Sequence, residues 1–69
     1  MKSINLLING EPRDFSTPLN VSDLVQTLGF AGKRVAIERN GEIVPRSTYG
    51  NTVLLDGDRL EIVVAVGGG

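Results

Sequence analysis

The run Leu60, Glu61, Ile62, Val63, Val64, Ala65 and Val66 constrains this chain more than any other stretch. It is nearly continuous in its apolarity and rich in β-branched residues, the pattern of a strand covered on both faces rather than one at a sheet edge. Asp56-Gly57-Asp58 supplies a turn directly before it. Local turn chemistry would pair the run antiparallel with residues 52–55. The alternative is a mixed sheet with this last strand through its middle, and the apolarity favours that arrangement.

Two further turn signals divide the rest. Asn9-Gly10 and Asn40-Gly41 are the dipeptides that a two-residue type I′ hairpin prefers, because both central positions need positive φ. The first joins Ser3–Ile8 to residues 11–15, with Ile4, Leu6 and Ile8 alternating onto one face. Leu7 breaks the alternation and predicts cover on both sides near that strand's end. The second joins Val35–Arg39 to residues 42–44, where Pro45 stops the ladder for want of an N–H.

Between the hairpins, Val21, Leu24, Val25 and Leu28 fall at i, i+3, i+4 and i+7 and share one helical face. Asn20 suits the N-cap, and Asp23 suits the positive end of the helix dipole. Leu19 and Leu24 occupy the two positions of a hydrophobic staple, and Gly29 stands where a C′ glycine would. So short a helix must be docked on a sheet to survive. Residues 47–50 read as a further helical turn capped by Ser47.

The order is hairpin, helix, hairpin, turn, final strand. It predicts an α+β fold of the ubiquitin-like β-grasp type, a mixed four- to five-stranded sheet with one main helix packed across it. A chain of 69 residues supports one core, here expected over residues 1–66, with residues 67–69 as a flexible glycine tail. With no cysteine and no histidine, it lacks thiol chemistry, the commonest metal ligand and the side chain best suited to proton transfer near neutral pH. Ser16, Ser22, Ser47 and Lys33 have no evident base to activate them, which argues against an autonomous enzyme.

A net charge of −1 and only three aromatics, Phe15, Phe30 and Tyr49, argue against nucleic acid as a partner. No apolar run approaches the ~20 residues that span a bilayer. Residues 1–5 turn polar too soon for a secretory signal, so a cytoplasmic location is expected.

The Gly67-Gly68-Gly69 ending is what the fold does not ask for, since glycine loses the most backbone entropy on ordering. Side-chain-free residues suit an arm that threads a narrow channel in a partner. Three of them extend roughly 10 Å at ~3.3–3.6 Å each. The Gly69 carboxylate is ionised at neutral pH and is a poor acyl acceptor until a partner activates it. The plain alternative is a frayed terminus without a role.

The Asn9-Gly10 hairpin, the helix over residues 21–28 ending at Gly29, the segment from Val35 through Val44-Pro45-Arg46-Ser47, the Asp56-Gly57-Asp58 turn and the Gly67-Gly68-Gly69 ending together resemble the ThiS-type sulfur carriers of thiamine biosynthesis. The likeness covers nearly the whole chain; Tyr49 stands where that family often has tryptophan. It implies that Gly69 is adenylated by an E1-like, ThiF-type adenylyltransferase using ATP and Mg, with no cofactor bound by this chain itself. Sulfur from a donor such as a cysteine desulfurase persulfide would then displace AMP. The resulting thiocarboxylate would serve a ThiG-type thiazole synthase. Gly67 and Gly68 would thread the partner's active site.

Among the remaining residues, Val63 and Ala65 are candidates for a partner-docking patch if Leu60, Ile62, Val64 and Val66 face the helix. Arg46 and Arg59 are candidates for contact with an acidic partner, set against plain solvated charge. Asp56 and Asp58 flank a glycine and read as turn chemistry rather than a metal site. Other acceptors (molybdopterin synthesis, tRNA thiolation), conjugation to protein lysines as a ubiquitin-like modifier, and an inert interaction module are the alternatives.

Overall fold

The computed structural model describes residues 2–65. Its elements are β1 (Ser3–Ile8), β2 (Glu11–Ser16), α1 (Val21–Thr27), β3 (Val35–Arg39), β4 (Glu42–Ile43), a 3-10 helix (Arg46–Asn51) and β5 (Arg59–Val64). The five strands form one sheet in the order β2-β1-β5-β3-β4. Strand β5 lies in the middle, parallel to β1 and antiparallel to β3. This is the mixed β-grasp sheet that the apolarity of residues 60–66 predicts. The boundary expected between residues 66 and 67 lies outside the described residues.

Both hairpins turn as their sequences require, with φ of 52° and 85° at Asn9 and Gly10, and 52° and 88° at Asn40 and Gly41. Helix α1 begins with a reciprocal capping box. The Asp23 N–H donates to Asn20 Oδ1 at 2.7 Å, and the Asn20 N–H donates to Asp23 Oδ2 at 3.2 Å. It ends in a Schellman arrangement, with Phe30 N–H on the Val25 carbonyl, Gly29 N–H on the Gln26 carbonyl, and Gly29 at φ 82°.

Strand β1 contributes Ile4, Leu6 and Ile8 to the core, and β5 contributes Leu60 and Ile62. The helix side supplies Leu19, Val21 and Leu24; Ile37, Val44 and Leu54 complete the buried set. Val25 and Leu28, expected on the same helical face, are half-buried at its margin, while Leu7, on the other face of β1 from Leu6 and Ile8, is half-buried as well.

Three expectations are corrected, besides the pairing with residues 52–55 that the apolarity already disfavoured. Residues 52–55 form no strand beside β5. They are drawn instead to the helix entrance, where Val21 N–H donates to the Thr52 carbonyl and Leu54 N–H to the Leu19 carbonyl. β5 is covered on one face only, because Glu61, Val63 and Ala65 are exposed. Its apolarity therefore marks a central position without double cover. Strand β4 stops at Ile43, although Val44 N–H still reaches the Ile37 carbonyl at 2.9 Å before Pro45 ends the ladder. Finally, Ser47 caps nothing: the 3-10 helix starts after Pro45, whose carbonyl takes the Thr48 hydroxyl and N–H.

Candidate functional site: the end of the central strand and its open face

The central strand carries the chain toward the glycine ending. Beyond β5 the ladder runs one bond further, from the Ala65 N–H to the Arg34 carbonyl at 2.9 Å. Gly67, Gly68 and Gly69, the residues singled out for carriage, lie outside the described residues. What the structure defines is the platform from which they depart.

The two hairpin turns anchor that platform at different points, Asn40-Gly41 at the start of β5 and Asn9-Gly10 beside Ile62 further along it. Asn9 uses both ends of its amide on β5, donating from Nδ2 to the Ile62 carbonyl and accepting the Ile62 N–H on Oδ1 at 2.7 Å. Asn40 accepts the Arg59 N–H on Oδ1 at 2.9 Å and donates from Nδ2 to Asp58. Turn propensity accounts for the Asn-Gly pairs but hides this second role, which appears only once β5 lies between the two hairpins.

Asp58 is the buried acid of the described residues. Burial by itself would raise its carboxyl. The Leu55 N–H, the Asn40 amide and the Arg39 guanidinium, with Nε 2.9 Å from Oδ2, outweigh that and hold it below its ordinary value. Asp56 accepts the Asn5 N–H at 2.7 Å. Both aspartates of the Asp-Gly-Asp turn thus spend their oxygens on backbone and neighbouring side chains, as turn chemistry requires. No group of three or more metal-ligating side chains occurs among the described residues.

The strand register sorts the docking candidates. Val63 stands opposite Ala36, and Glu61 opposite Glu38, on the sheet face away from α1. Ile43 stands opposite Glu38 from β4, on the same face. Val63 is 64% exposed and Ile43 67%. Arg59 and Ala65 fall on this face by the two-residue period of the strand. Arg46 does not join them, since it belongs to the 3-10 helix, off the sheet. Ile43 and Ala36 are the members that reading the final strand alone missed; only pairing through β3 sets Ala36 opposite Val63 and Ile43 opposite Glu38.

Compared with known proteins, residues 6–69 match the model of the ThiS family. The chain belongs to the ThiS family. The match runs through the glycine ending as well as the sheet. A crystal structure of the thiamine biosynthesis protein ThiS from Geobacter metallireducens superposes with a TM-score of 0.81 at 36% identity, covering 96% of this chain and all of that one. The sulfur carrier protein ThiS of Bacillus subtilis is 41% identical over 49 residues, 71% of this chain and 74% of its relative. A thiazole synthase of Paramagnetospirillum magneticum is 50% identical over 66 residues. This chain spans 96% of its own length in that match but only 20% of the synthase's. That synthase therefore contains a ThiS-like region within a much longer chain. No helix among the described residues is long and apolar enough to cross a membrane.

Proposed function

We propose that this chain is a sulfur carrier for the thiazole ring of thiamine, working through the carboxylate of Gly69. The observation that carries the proposal is the family match, which extends through Gly67-Gly68-Gly69 on a fold whose central strand leads into them.

The chain supplies a substrate group rather than a catalyst. A ThiF-type E1-like adenylating enzyme using ATP and Mg forms the acyl-adenylate. A Gly69 carboxylate oxygen attacks the α-phosphorus, and pyrophosphate leaves. A persulfide sulfur from a desulfurase-type donor then attacks the activated carbonyl carbon and expels AMP. A thiol then attacks the donor-side sulfur of the acyl disulfide, forming a new disulfide with the donor and releasing the thiocarboxylate. Gly67 and Gly68 thread the activating site, where a side chain beside the reacting carbonyl would obstruct the approach. A cytoplasmic location goes with this reading, since ATP and a persulfide donor are at hand there.

Two thiazole synthases contain a region similar to this chain. A covalent union of carrier-like and synthase sequences favours thiazole synthase as the acceptor over molybdopterin synthesis, tRNA thiolation or conjugation to protein lysines. The exposed residues Val63, Ala36 and Ile43, with Arg59 and Ala65, form the docking face.

Intact mass spectrometry tests this. Incubation with an E1-like adenylating enzyme, ATP-Mg and a sulfur source is expected to add the mass of one oxygen-to-sulfur exchange. The gain should vanish when Gly69 is deleted. An unchanged mass, with the enzyme active on another carrier, overturns the proposal; higher-mass isopeptide adducts would assign the chain to the modifiers.

A further inference from the structure

The open sheet face carries an arrangement that the fold itself does not need. Glu38 on β3 and Glu61 on β5 stand directly opposite each other, both exposed. Like charges at directly opposed strand positions are destabilising. Arg59 lies two residues before Glu61 on the same face, yet the one ion pair among the described residues is Arg39 with Asp58. The two carboxylates line a shallow cleft of about 560 Å³ together with Asn40, Gly41 and Arg59. Flanking them in register are the apolar side chains of Ile43, opposite Glu38, and of Val63, opposite Ala36.

We infer that this cleft is a receptor for a basic side chain of the E1-like adenylating enzyme, an arginine or lysine set between Glu38 and Glu61 with apolar neighbours resting on Val63 and Ala36 to one side and on Ile43 to another. The inference rests on the carrier reading and specifies the chemistry of the partner surface. Two physical arguments converge on it. An arginine fork satisfies two carboxylates at once and removes their mutual repulsion, so the free protein's unfavourable pair becomes favourable only in the complex. An exposed apolar row next to a charged pair also has the composition of an interface core with a charged rim. Electrostatic attraction of this kind acts mainly on encounter rate and partner choice, and salt weakens it.

The test is titration of the full chain against the E1-like adenylating enzyme at low and high salt, alongside the mass assay. Removing both charges, as E38Q/E61Q, should leave the thermal midpoint unchanged or raised, weaken binding and flatten its salt dependence. The reversal E38K/E61K should weaken binding at least about tenfold, and V63D should do the same. E11K, on the edge strand β2, should bind as wild type. Wild-type affinity in both E38K/E61K and V63D would overturn the inference even if sulfur were still acquired. Wild-type chain that binds with the expected charge dependence but gains no sulfur would retain the docking inference and remove the carrier reading. Failure of the wild-type chain to bind would overturn the docking inference.

Discussion

Three polar side chains, at Asn9, Asn40 and Asp58, hold the central strand in register. Asn9 combines a left-handed backbone with an amide that closes two hydrogen bonds on Ile62. Replacing it with glycine keeps the turn and removes the amide. N9G should therefore cost about 1–3 kcal/mol in urea unfolding, the penalty of leaving buried polar groups without partners. Asp58 has a pH signature. Its folded-state carboxyl is held below the ordinary value of 3.8, so its contribution is present above the unfolded value and lost as pH falls through the folded one. D58A should lose about 1.5–3 kcal/mol at neutral pH, as expected for hydrogen bonds to a charged group. Its deficit relative to wild type should shrink in unfolding curves taken on the acid side of the ordinary carboxylate range.

Among the elements, α1 shows how much of a short helix depends on its ends. Seven residues cannot sustain a helix in water. The capping box, the Leu19–Leu24 staple and the Schellman close fix its two ends, while Val21 and Leu24 dock it. The N-cap, the staple positions, the docking face and the C′ glycine were legible in the sequence, because each is a local rule read over a few neighbouring residues. The return bond from Asp23 that completes the capping box was not, since Asp23 read only as a charge suited to the helix dipole. Asn20 does more than its cap role requires, donating from Nδ2 to the Gly50 carbonyl and so tying the helix start to the 3-10 helix. N20A should destabilise the protein by about 0.5–2 kcal/mol, measured by the same unfolding assay. The 3-10 helix was legible only as a turn. Its start falls at Pro45, where proline's fixed φ and missing N–H favour entry, rather than at the serine whose hydroxyl looked like a cap.

At the scale of the molecule, folding and the proposed chemistry separate along the chain. The buried core lies within residues 4–62, short of the glycine ending. Deleting Gly68 and Gly69 should leave the unfolding midpoint unchanged and abolish the sulfur mass gain. A lowered midpoint would tie the ending to the fold instead. Leu24→Ala should act in the opposite way, costing about 2–5 kcal/mol as a large-to-small change at a fully buried site, with the carrier group intact in whatever fraction remains folded.

The sequence alone determined the two Asn-Gly hairpins, the capped helix, the central place of the last strand and the glycine ending, because each is written in neighbouring residues or in a single run's apolarity. Tertiary structure decided what depends on partners distant in sequence. It drew residues 52–55 to the helix entrance instead of to β5, and it left one face of β5 open despite its apolar composition. It also set Glu38 between Glu61 on one neighbouring strand and Ile43 on the other. Register between β3 and β5 brings together residues 21 to 29 positions apart, and no local pattern encodes which of them will share a face. The glycine ending could be read from composition; the surface that would present it to a partner could not, because that surface exists only once β3, β4 and β5 are paired.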